Sequence, residues 1–247
     1  MSDMPSKRRV PRAIAWIAVA ACLVLWPTAA AAPRPTFSLP QQIPPPERAK
    51  LEQVIEQAFV STRMEAEPYV ARPDIFEYLL NHPEFATHVT RALKLARYRI
   101  WRTPEGLFLD DGWGTQGHFE VVHAEPGLRV MYARGRYDPP LLPGIQGQAV
   151  VVMEYGFRPT EEGHTVVSTT ITGYVKLESR FLRIAGMLVN PLAQAKADRE
   201  ARQLLKVFAR VSRAIEERPD GVYDQVRQRP DVPQQELAGF RQLLDGR

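Results

Sequence analysis

The chain has 247 residues, 32 Lys and Arg against 28 Asp and Glu for a formal net charge of +4, and a single cysteine, Cys22. The first 31 residues hold four basic side chains and one acid, so the remainder carries a net of only +1 and no thiol. That balance argues against a nucleic-acid partner, and the missing thiols exclude disulfides, thiolate nucleophiles and cysteine metal sites from the body of the protein.

Lys7, Arg8, Arg9 and Arg12 precede an apolar run from Ala13 to Trp26, and Ala29-Ala30-Ala31 follows as an Ala-x-Ala box. This order of zones reads as a secretion signal over 1–31 and predicts an exported protein of the periplasm or cell envelope. The run is shorter than the ~20 apolar residues a membrane span needs. Cleavage near Ala31, lipidation at Cys22 within Val19-Ala20-Ala21-Cys22, and retention as an anchor are the three outcomes this segment allows. Residues 32–46 include six prolines and end in Pro44-Pro45-Pro46, which predicts a stiff polyproline II linker.

The domain expected over 47–218 opens with a helix from Glu47 to Phe59, where Leu51, Val54, Ile55 and Ala58 share a face. An extended piece around Met64 to Val70 comes next. Asp74 is placed to N-cap a short helix through Leu80, and Pro83 to begin a second one reaching about Leu95. Six strands are then expected: Tyr98–Arg102, Leu107–Asp111, His118–His123, Leu128–Tyr137, Gln148–Arg158 and His164–Leu177. Their short connections imply an antiparallel meander. Leu128, Val130 and Tyr132 alternate with Arg129, the pattern of a sheet with one buried face. Glu178 to Val189 is apolar, and Asn190-Pro191 starts a helix or kinks one that runs to about Glu217. On it Leu204, Phe208, Val211 and Ile215 form a buried stripe. A tail over 219–247 with two short helices, Val222–Val226 and Gln235–Leu244, completes the chain.

Enzyme motifs fail on inspection. Gly112-Trp113-Gly114-Thr115-Gln116-Gly117 matches a dinucleotide fingerprint, but a strand follows it where a helix must begin, so it reads as a hairpin turn. His118 and Glu120 share a strand face, while period-two alternation sends His123 to the other, so no metal is expected. No cofactor motif occurs. Two features remain: a proline-restrained loop exposing Leu141, Leu142 and Ile145, which would gate a cavity, touch lipid or pack on the core; and a basic row, Arg199, Arg202, Lys206, Arg210 and Arg213, which faces either anionic headgroups or plain solvent.

Pro73-Asp74-Ile75-Phe76-Glu77-Tyr78-Leu79-Leu80-Asn81-His82-Pro83-Glu84-Phe85, the meander, and Val189-Asn190-Pro191-Leu192 through Ile215 together resemble the START-like superfamily (SRPBCC, polyketide-cyclase-like) over about Met64 to Arg218. The resemblance implies an α+β fold, a curved antiparallel sheet gripping a long C-terminal helix, with an elongated apolar cavity between them. It also implies binding or transfer of a hydrophobic small molecule or lipid. Trp113, Tyr132, Met153, Tyr155, Phe157 and Met187 are the residues expected to line that cavity. An enzyme of the cyclase or dehydratase type is the alternative, with His118, Glu154 or Tyr155 as its polar group; a third is a module binding a partner protein through the apolar loop or the tail helices.

Overall fold

Between Arg99 and Leu177 the chain runs as successive strands that pair with their neighbours into one antiparallel sheet. The computed structural model describes residues 37–138, 144–178 and 186–246, with side chains of the last stretch from Ala193. The elements are α1 (Pro45–Glu56), β1 (Val60–Glu65), β2 (Tyr69–Val70), α2 (Pro73–Asn81), α3 (Pro83–Ala92), β3 (Arg99–Thr103), β4 (Gly106–Asp110), β5 (Thr115–Glu125), β6 (Leu128–Tyr137), β7 (Ile145–Pro159), β8 (Thr165–Leu177), α4 (Gly186–Glu217), α5 (Pro219–Arg227) and α6 (Gln234–Asp245). The protein is thus α+β, an open antiparallel sheet with a long helix after its last strand. The Gly112–Gly117 motif is a hairpin between β4 and β5, where Gly112 and Gly114 take φ values of 74° and 100° that L side chains avoid.

The sheet order is β1-β8-β7-β6-β5-β4-β3, with β2 pairing β8 beyond β1. The extended piece expected at Met64–Val70 starts earlier, at Val60, and is interrupted between Glu65 and Tyr69. Register fixes two faces. Val130 and Tyr132 of β6, Val150 and Val152 of β7 and Tyr174 of β8 share one face, which packs on Leu51, Val54 and Ala58 of α1 and on Phe37, Leu39 and Ile43. Ile43 is 2% exposed, and α1 already begins at Pro45, so the end of the expected proline spacer lies against the sheet. Met153, Tyr155, Val167 and Ile171 share the opposite face with Phe76 of α2 and Leu205 of α4.

Along β7 and β8 both faces are therefore covered, which corrects the one-face reading, and in β6 Arg129 is 7% exposed on the α4 side. A charged residue at an alternating position looks solvent-facing until a partner on another element neutralises it.

The two edges of the sheet meet the same stretch of one helix. Thr62 of β1 donates to Asp198 at 2.6 Å, and Gln194 donates to the Ser61 carbonyl at 2.8 Å. Tyr98, immediately before β3, hydrogen-bonds Glu200. Six strand spacings separate those edges, roughly 29 Å in a flat sheet at ~4.8 Å each, while Asp198 and Glu200 are two helical residues apart. The sheet must therefore curl about α4. Gly117, Gly135 and Gly147 pair in a row across β5, β6 and β7 on the α4 side, where a Cβ at Gly117 would stand 2.5 Å from Gly135 Cα. Such close backbone approach suits a bend.

The segment after Pro219 is not a tail. Val222, Val226, Leu237, Phe240 and Leu244 form one core with Phe85 and Val89 of α3 and Val211 and Ile215 of α4. α5 and α6, at 9 and 12 residues, are too short to stand alone, so packing of their apolar stripes holds them. Asp74 is not an N-cap either: α2 begins at Pro73 after Arg72, and Asp74 instead pairs with Arg72 at 2.7 Å. That same guanidinium donates to the Leu243 carbonyl of α6.

Candidate functional site

On the α4 side, register aligns Ile100 with Leu109, Leu107 with Phe119, Phe119 with Ala133, and Val121 with Met131. These side chains form an apolar floor beside the closed core of β7 and β8. All are partly exposed, Val121 to 41%. Small and aliphatic groups left uncovered on the inner face of a curled sheet can receive an apolar molecule and offer it little polar competition.

Polar groups border this floor. At one end Glu77 of α2 accepts from Tyr155 Oη at 2.6 Å and from Arg129 Nη2 at 2.6 Å, and Arg129 also donates to Asn81 at 3.2 Å and to the Glu125 carbonyl at 2.6 Å. Burial, then the bond to Glu77, pushes the Tyr155 hydroxyl up to about 12. At the other end the Lys196 ammonium stands 4.5 Å over the Tyr137 ring. There Tyr98 is likewise pushed up to about 12, by burial first and then by the Glu200 and Asp111 charges.

The residues expected to line the cavity separate into distinct places. Met153, Tyr155 and Phe157 do face α4, but they pack with Phe76 and Phe208 as core, the Phe76 and Tyr155 rings 5.3 Å apart. Tyr132 lies on the other face beneath α1, with Lys50 4.1 Å over its ring, because it pairs with Val150 and shares that residue's parity. Trp113 sits in the β4–β5 hairpin at 54% exposure, 5.6 Å from the Arg97 guanidinium. Ile145 is no loop residue; it opens β7 opposite Tyr137. Leu141 and Leu142 lie outside the described residues, as does the side chain of Met187.

His123 departs from simple alternation. A bulge between Val121 and His123 resets the register, so His118, Glu120 and His123 all share one face. They still do not converge: His118 bonds Thr103 at 3.1 Å, Glu120 pairs with Lys50 at 2.7 Å, and His123 stands 3.4 Å from Glu125. Among the described residues no group of three His, Cys, Asp or Glu side chains is placed to hold a metal ion. A separate cleft of about 420 Å³ between α2 and α6, bordered by Tyr78, His82 and Gln242, lies off the floor.

The floor residues Leu107, Leu109, Phe119 and Met131 lie outside the expected lining set, because membership depends on strand face and not on side-chain type. Alternation counted outward from Met153 reaches Met131, but it sends Phe119, Leu107 and Leu109 to the other face unless the bulge between Val121 and His123 is counted in. Glu77 gave no such signal, since its role depends on where α2 docks.

No protein-family model matches the chain, and no curated protein matches it. Among solved structures, a hypothetical protein from Helicobacter pylori is similar over 72% of this chain and 96% of its own, at 11% identity and a TM-score of 0.38. A protein from Thermus thermophilus is similar over 62% of this chain and 97% of its own, at 15% identity and a TM-score of 0.32.

Proposed function

We propose that the sheet and α4 form a helix-grip, START-like arrangement and that the protein binds or transfers a hydrophobic ligand, a lipid, between them in the cell envelope. The observation that carries this reading is the partly exposed apolar floor of Leu107, Leu109, Phe119, Val121 and Met131 on the inner face of a sheet curled about one helix. Support for the family arrangement comes from the strand order, with α2 and α3 inserted between the β1–β2 edge and the meander. Residues 1–31 act in this reading as the secretion signal. Between two membranes an apolar cavity offsets the cost of moving an acyl chain or ring through water.

The enzyme alternative is weakened by placement. His118 and Glu154 face away from α4, Glu154 paired with Arg63 at 3.0 Å, and the Tyr155 hydroxyl is already donated to Glu77. The test is organic extraction of the protein purified from its host envelope, followed by mass spectrometry. A stoichiometric apolar molecule is expected. An empty extract, together with no uptake of fluorescent fatty acid by the delipidated protein, would overturn the reading.

A further inference from the structure

Arg199, Arg202, Lys206, Arg210 and Arg213 are all exposed on α4, at spacings of three, four, four and three. At ~100° and ~1.5 Å per residue they occupy an arc of about 80° along roughly 21 Å, opposite Leu204, Phe208 and Ile215. None of the five pairs with a carboxylate among the described residues. Elsewhere on this helix the usual compensation is present, as in the i,i+4 pair of Lys196 with Glu200 at 3.3 Å. Like charges at these spacings repel and work against the helix that carries them, so the row is not what helix stability alone would favour.

We propose that this row is the surface by which the protein docks on an anionic bilayer, α4 lying parallel to the membrane plane. A straight line of cations on one arc reaches a flat array of phosphates all at once. Single-stranded nucleic acid is a poorer match, because no aromatic side chain interleaves with the cations to stack bases. The net charge of the chain is small, so attraction depends on this concentration of charge and falls with salt. The inference goes beyond the ligand reading and does not require it: docking and cargo are separable.

The test is sedimentation of the full chain with vesicles of phosphatidylcholine alone and of phosphatidylcholine mixed with phosphatidylglycerol. Anionic vesicles should capture the protein in preference, with binding weakened by added salt. Replacing Arg202→Gln, Lys206→Gln and Arg210→Gln together should lower affinity for anionic vesicles on the order of a hundredfold, at roughly fivefold per cation. The charge-preserving Arg202→Lys and Arg210→Lys pair should retain binding. Equal capture by neutral vesicles, an undiminished triple variant, or capture by DNA in place of vesicles would each overturn the proposal. Ligand recovered from the triple variant reports separately on cargo, so the two ideas fail independently.

Discussion

Arg129 of β6 and Glu77 of α2 meet at 2.6 Å with the arginine side chain only 9% exposed. This pair, with the Tyr155 hydroxyl on the second carboxylate oxygen, ties the first helix pair to the middle of the sheet. Removing the carboxylate strands the buried guanidinium. Glu77→Ala is therefore expected to destabilise the fold by about 3 kcal/mol in urea unfolding. Tyr155→Phe removes one bond to a charged group and should cost about 1.5 kcal/mol. A double variant that loses the simple sum of the two would show that the carboxylate does not couple them.

Alkaline pH should loosen the protein in a defined window. Tyr69, Tyr98 and Tyr155 are each pushed up from 10.0 to about 12, with burial the leading cause in every case. The folded state thus holds these protons more tightly than the unfolded chain. The stability they contribute is whole below pH 10 and is lost as pH rises towards 12. Ultraviolet titration of tyrosinate should show a late class of tyrosines, and Tyr98→Phe should shrink it.

Acid should act through His88. Burial is the main cause holding its imidazole below the ordinary value of 6.5; the Arg91 and Arg229 charges push the same way, and Asp231, 3.7 Å away, opposes them. The unfolded chain takes up the proton first, so this stability is present above pH 6.5 and fades as pH falls below it. Thermal midpoints measured from about pH 7.5 down to 5 should decline in the parent and decline less in His88→Asn. Identical slopes would remove His88 from the account.

Under the proposed ligand reading, charge placed on the floor should lower ligand recovery without unfolding the protein. Leu109→Lys and Val121→Lys sit at partly exposed sites, so their long side chains can reach water while disrupting the apolar surface. Ligand recovery is expected to fall in both. Tyr132→Ala, on the face under α1, should lower stability and leave recovery per folded molecule unchanged.

The segment after Arg218 should be indispensable. Phe240 is fully buried against Phe85, ring centroids 5.4 Å apart, and Phe240→Ala is expected to cost about 4 kcal/mol. Truncation after Arg218 uncovers Val89, Val211 and Ile215 together, and the shortened chain should be insoluble.

Local physics was legible from the chain alone. β6 has the bounds that alternation and turn residues predict, Leu128–Tyr137, and Pro83 opens α3 as its fixed φ suggests. The glycine hairpin and the exposed basic row are likewise written in residue order, since each depends on neighbours a few positions away.

What only the tertiary structure decided is which groups from distant segments meet. A bulge after Val121 reversed the face of His123, and nothing in His118–His123 marks it. Arg129 looked solvent-facing until Glu77, 52 residues earlier, came within bonding distance. Likewise, the residues after Pro219 read as a tail because their apolar stripes are short, and they became core once α3 and α4 supplied the other half. The floor itself arises from pairing and curvature: the bulge puts Phe119 and Leu109 on the face of Met131, and closure of Thr62 and Tyr98 onto opposite sides of one turn of α4 turns that face inward.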